Sequence, residues 1–445
     1  MVRLEKLLRR IGRHPSQADL GKLDPRGPVF VSYRVSDGFN LATNTAWALR
    51  AAGVPVWHDE SDLPPGDTER RLAEALESGL SGAVLLVTPE IEHSRIVREI
   101  ELPQLLQLAE NPAFTLSVLS VIEREPEKLD YGAPDRLLAQ PEGTLKNFKQ
   151  EPARTLRQQA DAARAQCQRR MQAIRSDVET ADRVVTLDVQ TRIPPFATRV
   201  DADLVLRLRP PIDGDRRPHH QGLHDLKMFL SNLPQLVALA GAEHATVRGG
   251  AHLSVAYAIG AALPTTLIGR IEIVDTAGDI WSLTGNAPAP NRTNELLEVK
   301  TSRVFASTGA VLVYLDLPPT LSNSAFDDIL DEDGDRFASA VHVRPLRDGN
   351  LKPEEAAAIT GEASRVIRDL ADQFHTSEVH LLLRCPWTVA LLLGRTLNTI
   401  RVHLYEWENG PDDCGNPARP RYLPSLVVSS GTGGGPIETV LLPVR

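Results

Sequence analysis

The sequence predicts an α/β fold made of two successive regions, each built on a doubly wound, mostly parallel sheet. In the first region, short apolar runs alternate with helix-length segments, which is typical of parallel strands joined by crossover helices. In the second region a strand, a short loop and a helix occur twice. Residues 254–263 and 388–397 both read [ST]-V-A-x-x-[IL]-G-x-x-L. We therefore expect a duplicated unit in the second region.

The first region begins after an N-terminal helical extension at residues 1–27 and covers residues 28–150. Its strands are expected at 28–33, 54–57, 82–87 and 114–121, with helices at 40–52, 67–78 and 95–108. Residues 152–178 are rich in Arg, Gln and Ala and contain no breaker, so we expect one long helix there. Residues 151–182 are therefore predicted to be a helical linker.

The second region is residues 183–445, divided into halves at about 183–290 and 291–445. Strands are expected at 184–189, 205–208, 245–248, 271–274, 310–315, 380–383 and 402–405, and helices at 223–240, 254–263, 353–374 and 388–397. Residues 204–211 and 312–319 are both strands stopped by Pro-Pro, and we interpret them as a second repeated pair. Residues 322–335 are polar and acidic and are predicted to form a loop.

Composition excludes several classes of function. The chain has 445 residues, a hydrophobic content of 42% and no apolar run of the ~18 residues that a membrane span needs. A net charge of -9 argues against a basic face for long nucleic acid. Neither the three cysteines nor the acidic run has the spacing of a metal site, so no metal is expected. With no signal peptide, a cytoplasmic location is expected.

Three segments of the first region, residues 30–34, 57–67 and 94–100, resemble landmarks of TIR domains in order and spacing. The resemblance covers residues 28–150 and implies a flavodoxin-like fold. In TIR domains that are enzymes, a Glu on the third landmark acts at the ribose side of the nicotinamide bond of NAD. By this resemblance the catalytic residue is Glu99, and NAD+ is a substrate rather than a cofactor.

The chemistry is compatible with that role, because an oxocarbenium-like transition state needs a carboxylate near the ribose. Tyr33 and Arg34 lie at the C-terminal end of the first predicted strand, where an open sheet would present an aromatic face to nicotinamide and a cation to pyrophosphate. Trp57 and Asp59 border the same edge and complete the predicted NAD-binding set. The chain has no GxGxxG motif, so a dehydrogenase-type redox site is not expected.

One alternative for Glu99 is an exposed helix carboxylate that pairs with Arg95 or Arg98. Glu92 and Glu101 lie close by in the sequence and are easily mistaken for the catalytic residue.

The paired units of the second region resemble a SAVED domain, a fused pair of CARF-like halves that senses cyclic oligonucleotides in bacterial antiphage systems. Residues 249–260, 385–388, 405–407 and 421–424 carry this resemblance. It implies a cyclic tri- or tetranucleotide as activator, with cyclic triadenylate favoured. The neighbouring genes would separate a cyclase-based (CBASS) system from a CRISPR system.

Ligand residues are expected where the repeated strands end. Arginines can pair with phosphates, glycines let the backbone come close, hydroxyls can cap helices, and an indole can stack on adenine. The predicted set is Arg209, Arg248, Gly249, Gly250, His252, Ser254, Ser322, Asn323, Arg384, Pro386, Trp387 and Thr388. The alternatives are core packing for Trp387, a satisfied loop histidine for His252 and a surface ion pair for Arg209. Arg384 is the single best candidate.

These resemblances lead to competing functions. The first is an NAD+ hydrolase whose TIR sites are assembled when a cyclic nucleotide drives head-to-tail association into oligomers or filaments. The second is a TIR scaffold without enzymatic activity that self-associates and recruits partners. A third is an unrelated ribosyltransferase that uses the same carboxylate. No membrane partner is expected.

Overall fold

The computed structural model describes residues 23–57, 75, 79–192, 200–211, 217–283, 295–408, 421–429 and 434–444. The chain divides into two compact units. Unit 1 comprises Met1–Arg50, Val54–Ile174 and Pro195–Ala202, and unit 2 comprises Ala51–Gly53, Arg175–Pro194 and Asp203–Arg445. No helix in the described ranges is long and apolar enough to cross a bilayer.

Unit 1 contains a five-stranded parallel sheet in the order β2-β1-β3-β4-β7, beside a two-stranded ribbon of β5 and β6. Its strands are β1 Val29–Ser32, β2 Val56–Trp57, β3 Gly82–Val87, β4 Thr115–Ser120, β5 Glu123–Glu125, β6 Lys128–Leu129 and β7 Lys149–Pro152. Its helices are α1 Val35–Ala51, a π-helix Val97–Glu101, α2 Leu102–Leu108, α3 Ala133–Leu137 and α4 Leu156–Ala173, with a 3-10 turn Ile91–His93. The parallel order confirms the predicted doubly wound sheet.

Helix α4 is part of unit 1 and packs on its sheet. It starts with a capping box in which the Thr155 hydroxyl accepts the Gln158 N–H, a strong start signal. The Gln166 amide donates to the Ser117 hydroxyl of β4 at 2.7 Å, and both side chains are buried. The expected single helix at 152–178 is wrong, because α4 ends before Ile174 and a separate short helix, α5 Arg175–Thr180, follows.

Unit 2 contains two sheets, in the orders β12-β11-β10-β8-β9 and β13-β15-β14-β16-β17-β18-β19. The strands are β8 Val184–Gln190, β9 Leu204–Arg207, β10 His244–Gly250, β11 Arg270–Val274, β12 Ile280–Ser282, β13 Leu297–Val304, β14 Val311–Asp316, β15 Ser339–Pro345, β16 Glu378–Arg384, β17 Arg401–Glu408, β18 Arg421–Val428 and β19 Ile437–Val440. The longer helices are α6 His220–Leu239, α7 Leu253–Ala262, α8 Ser324–Asp333, α9 Ala356–Gln373 and α10 Trp387–Thr396. Each sheet contains four neighbouring parallel strands, β11-β10-β8-β9 in the first and β15-β14-β16-β17 in the second.

The two halves of unit 2 share their topology, but one predicted correspondence is wrong. In the first half β8 lies between β9 and β10, and in the second half β14 lies between β15 and β16. Strand β14 therefore corresponds to β8 rather than to β9. The Pro-Pro ends of residues 204–211 and 312–319 stop strands at different places in the fold. Because Pro has no N–H to donate to a neighbouring strand, it can end a strand at any position in a sheet.

The repeated helices α7 and α10 correspond as predicted and cross each other closely. A Cβ on Gly260 would lie 1.9 Å from the Leu391 carbonyl oxygen, and one on Gly394 would lie 2.0 Å from the Tyr257 carbonyl oxygen. The glycine in each copy of the repeat thus makes room for the backbone of the other helix. This reciprocal contact is a structural reason for the repeated motif.

The acidic segment predicted to be a loop at residues 322–335 is largely a helix, α8. Phe326 and Leu330 are buried on one face of α8, and their spacing of four residues places them together. The carboxylates occupy the other positions of this short amphipathic helix. Because they dominate the segment, its composition indicated a loop.

Candidate functional site

The carboxyl end of β1 leads directly into Tyr33 and Arg34. The Arg34 guanidinium donates to the Ser36 hydroxyl and the Glu90 carboxylate and lies 3.8 Å from the Asp37 carboxylate. A pyrophosphate would therefore have to compete with Glu90 for this cation. The Tyr33 ring is close to helix α1, since a Cβ on Gly38 would lie 3.5 Å from its Cδ2 atom.

The other two predicted NAD-binding residues are less informative. Trp57 ends β2 and is partly buried against the hydrophobic core of unit 1, so packing accounts for part of its position. Asp59 lies outside the described residues.

Glu99 lies on the π-helix, with its side chain 45% exposed. Arg95 Nε donates to one carboxylate oxygen at 2.7 Å, and Arg98 Nη2 donates to the other at 3.5 Å. The hydrogen bond from Arg95, followed by the charges of both arginines, lowers the pKa of Glu99. The surface ion pair that the sequence left open as an alternative is present in the structure.

Glu101 lies at the end of the same π-helix and is only 5% exposed. Its Oε2 atom accepts a 2.6 Å hydrogen bond from the hydroxyl of Ser32, the last residue of β1. The π-helix thus brings a buried carboxylate to the sheet edge where Tyr33 and Arg34 begin. Single π-turns within helices are rare and are found often at functional sites. Of the two carboxylates, Glu101 is the one held at the edge.

In the first half of unit 2, Asp188 on β8 holds two arginines from the strands on either side. Arg248 Nε donates to Asp188 Oδ2 at 3.0 Å, and Arg207 Nη2 donates to Oδ1 at 2.5 Å. Register places Arg248 directly opposite Asp188. Arg207 is largely buried, whereas the Arg248 side chain is 38% exposed.

The second half repeats this arrangement at the equivalent strand positions. Arg384 Nη1 donates to Asp316 Oδ1 at 2.6 Å, and Arg344 Nη1 donates to Oδ2 at 3.2 Å. Arg384 also donates to the backbone oxygen and hydroxyl of Thr320. Asp316 is fully buried, Arg344 is nearly so, and the Arg384 side chain is 26% exposed.

Each half therefore presents one aspartate with an inner and an outer arginine. The aspartate neutralises one positive charge and fixes both guanidinium groups. The outer arginines, Arg248 and Arg384, keep exposed surface at the carboxyl ends of the parallel strands, where open α/β sheets bind ligands. A fixed, partly exposed guanidinium is suited to a charge-assisted bond with phosphate.

A cavity of about 320 Å³ lies at the same edge of unit 2. Both halves contribute to it, and the described residues that line it are Arg192, Pro211, His252, Leu253, Leu383, Glu406 and Trp407. The buried Glu406 carboxylate accepts the backbone N–H of Ser254 at 2.8 Å, in the first turn of α7. An acidic side chain from the second half thus occupies the N-terminus of a helix in the first half.

Residues 29–137 match the TIR domain family, and residues 230–427 match the family described as the SMODS-associated and fused to various effectors sensor domain, SAVED. The chain joins a TIR domain to a SAVED domain. Part of it is 38% identical over 74 residues to the NAD(+) hydrolase PdTIR of Paracoccus denitrificans (strain Pd 1222). That match covers 16% of this chain and 24% of the relative, so the chain spans about a quarter of the relative's length.

Among solved structures, the chain is similar to the Cap4 SAVED/CARF-domain containing receptor of Acinetobacter baumannii with the cyclic trinucleotide 2'3'3'-cAAA. The identity is 13%, the coverage is 88% of this chain and 97% of that one, and the TM-score is 0.43. For the Cap4 receptor of Moraxella osloensis the identity is 13%, the coverage 92% and 99%, and the TM-score 0.39.

Among the described residues that line the cavity, His252 is the single member of the predicted SAVED ligand set. It is buried, and its Nδ1 lies 2.8 Å from the Thr191 hydroxyl, which also accepts the His252 N–H. The Thr191 hydroxyl thus contacts both the backbone and the ring of His252. Arg384 directly follows Leu383, a lining residue of the cavity.

Local structure explains several other members of the set. Gly249 has a φ of 109°, and a Cβ there would lie 2.1 Å from the Val189 oxygen, so the backbone itself requires glycine. A Cβ on Gly250 would meet nothing within 4 Å. Arg209 Nε donates to Asp225 at 3.2 Å, which is the ion pair that the sequence left open.

The remaining members lie at the starts of helices. Pro386 precedes α10, where the Thr388 hydroxyl and the Trp387 indole N–H are buried without a hydrogen-bond partner in the described part of the chain. The backbone oxygen of Ser322 accepts the Tyr314 hydroxyl proton at 2.8 Å, and Asn323 precedes α8. These contacts account for local structure and leave the ligand roles as predictions.

Sequence reasoning missed Glu406 and Trp407 as site residues. We expected the strand to end at residue 405, whereas β17 continues to Glu408, and both side chains lie beyond the last residue of β17 that pairs with β16, Leu404. The segment 405–407 already carried the SAVED resemblance, and that was the signal available. Arg192 and Pro211, which follow β8 and β9, gave no signal.

Proposed function

We propose that the chain is an NAD+ glycohydrolase of antiviral defence, in which the TIR domain cleaves NAD+ when the SAVED domain binds a cyclic oligonucleotide. The TIR and SAVED family matches and the similarity to a TIR NAD(+) hydrolase support this pairing of activities. The observation that carries the proposal is the buried Glu101 carboxylate, held by Ser32 at the carboxyl end of β1.

The reaction needs a carboxylate near the ribose of NAD+. The bond between C1′ and the nicotinamide nitrogen breaks, nicotinamide leaves with the bonding electrons, and water adds to C1′ to give ADP-ribose and a proton. Positive charge develops on the ribose in the transition state, and a fixed carboxylate stabilises it. Tyr33, which follows β1 directly, would offer its ring to nicotinamide, and Arg34 would exchange Glu90 for pyrophosphate.

Glu101 is our candidate for this carboxylate on geometry, and Glu99 is the candidate implied by resemblance. Glu99 is paired with two exposed arginines, which neutralise the charge that the transition state requires. Glu101 is buried and accepts a hydrogen bond from the Ser32 hydroxyl at the end of β1. Position therefore favours Glu101.

In the SAVED domain the proposed ligand is a cyclic oligoadenylate, with cyclic triadenylate favoured. The outer arginines Arg248 and Arg384 would contact its phosphates, because an aspartate of the neighbouring strand holds each of them at the carboxyl ends of the strands. Two such arginines at equivalent positions suit a ligand whose phosphates repeat around a ring.

Activation is proposed to be assembly. The two SAVED halves share a framework, but their described residues form five strands in one and seven in the other, so their faces are not identical. Contacts between unlike faces are heterologous and extend into open oligomers unless the rotation closes. Ligand would then increase particle size in sedimentation, and NAD+ cleavage would rise more steeply than linearly with protein concentration.

The test is to incubate the full chain with NAD+, alone and with a panel of cyclic di-, tri- and tetranucleotides, and to measure nicotinamide release. We expect release to rise with cyclic triadenylate, together with ADP-ribose or its cyclised form. If no member of the panel produces release although one of them binds, the TIR domain is a scaffold.

A further inference from the structure

The cavity of the SAVED domain combines features that suit a nucleobase better than a phosphate. Its volume of about 320 Å³ is at the lower end of ligand pockets, roughly 300–1,000 Å³, which suits one base rather than a whole ring. Trp407 supplies an aromatic wall, and Pro211, Leu253 and Leu383 supply apolar ones. Bases stack on aromatic side chains regardless of their sequence.

The position of Glu406 disfavours a phosphate in this cavity. The N-terminus of α7 would attract an anion, but Glu406 already accepts the Ser254 N–H there. A phosphate beside that carboxylate would meet a like charge, and the positive charge of Arg192 in the same cavity already acts on Glu406. The anionic parts of the ligand therefore belong outside the cavity, at the outer arginines.

We propose that Glu406 selects the base that enters the cavity, accepting a hydrogen bond from its exocyclic amino group. This inference rests on the proposed function and adds the chemical identity of one base. A carboxylate has about four lone-pair directions on two oxygens, and contacts with Ser254 leave acceptor capacity for an amino group. Adenine and cytosine present such an amino group, whereas uracil presents carbonyl oxygens at the same edge and is rejected.

The groups around Glu406 fit this role. Burial raises the pKa of Glu406, and the hydrogen bonds from Ser254 and then the positive charge of Arg192 oppose that rise. The nearby α7 N-terminus also favours the carboxylate form.

The experiment compares two cyclic trinucleotides that differ only in the 6-amino groups of their bases. The probes are cyclic triadenylate and the cyclic trinucleotide of purine riboside, in which hydrogen replaces the 6-amino group. The wild-type chain should bind cyclic triadenylate about 10-fold tighter or more, as expected for a hydrogen bond to a charged group. In Glu406→Gln, which keeps the shape and an acceptor for Ser254, the difference between the ligands should shrink to within about threefold.

Glu378→Gln is the matched control, because Glu378 is a carboxylate of the same sheet that does not line the cavity. It should keep the wild-type preference. Equal affinity of the wild-type chain for the two ligands overturns the inference while leaving the proposed function intact, and so does an unchanged preference in folded Glu406→Gln. The wild-type comparison alone is decisive if that variant fails to fold. No binding of any cyclic oligonucleotide overturns the inference and the proposed function together.

Discussion

The TIR and SAVED domains each have an edge formed by the carboxyl ends of parallel strands, but the side chains at the two edges carry opposite charge. The TIR edge carries a buried carboxylate, Glu101, fixed by a hydroxyl. The SAVED edge carries two partly exposed arginines, each held by an aspartate of the neighbouring strand. The shared topology determines where a ligand can bind. The side chains fixed at that edge determine whether it stabilises a developing cation or binds an anion.

The largest expected effect is on the TIR edge. Glu101→Gln keeps the size and the Ser32 contact but removes the charge, and it should lower NAD+ cleavage about 100- to 1000-fold, as for other lost electrostatic elements. Glu99→Gln is the matched control and should stay within a few-fold of the wild type in nicotinamide release. The opposite outcome, in which Glu99→Gln is inactive and Glu101→Gln is active, would show that the catalytic carboxylate is Glu99, the residue implied by the TIR resemblance.

The SAVED edge should respond in binding rather than in chemistry. Arg384→Ala should weaken cyclic triadenylate binding by roughly 1.5–3 kcal/mol, the value of a charge-assisted hydrogen bond, in calorimetry. Arg365→Ala removes an exposed helix arginine and should leave affinity unchanged. If the two variants bind equally well, the phosphates do not meet Arg384.

The helix crossing of the SAVED domain should respond in stability. Gly394→Ala places a Cβ 2.0 Å from the Tyr257 oxygen, and overpacking of this kind costs about 1–3 kcal/mol. Thermal unfolding should shift down accordingly. Gly361→Ala, on α9 where a Cβ meets nothing within 4 Å, should instead stabilise by roughly 0.5–1 kcal/mol. Equal stability of the two variants would contradict the close approach of α7 and α10.

The smallest expected effect is a pH dependence in the second SAVED half. Burial, together with the nearby His403, lowers the pKa of His380 from 6.5 to about 3. The unfolded chain therefore binds a proton that the folded chain does not, so stability is full above pH 6.5 and falls as pH decreases towards 3. At pH 6 the loss is about 1 kcal/mol. In His380→Phe, denaturant unfolding should show a smaller loss between pH 7 and 6, and an identical loss would contradict this assignment.

Sequence periodicity predicted the repeated helices α7 and α10 and the central strands, because these are local patterns of apolar residues and breakers. It failed where distant residues decide the structure. The Pro-Pro ends mark strands that are not equivalent, since Pro reports a local stop and not a position in the sheet. Asp188 and Asp316 gave no signal either, because their arginine partners arrive through strand register. Glu406 caps a helix of the other half, a contact 152 residues away in the chain.

The central claim is that ligand at the SAVED edge of one chain activates chemistry at the TIR edge of its neighbours. The most direct measurement is nicotinamide release by an equimolar mixture of Glu101→Gln and Arg384→Ala chains with cyclic triadenylate. One chain binds ligand without cleaving, and the other retains the carboxylate with weakened binding. We predict that the mixture cleaves NAD+ well above the sum of the separate variants. A mixture no more active than that sum would contradict assembly and place activation within a single chain.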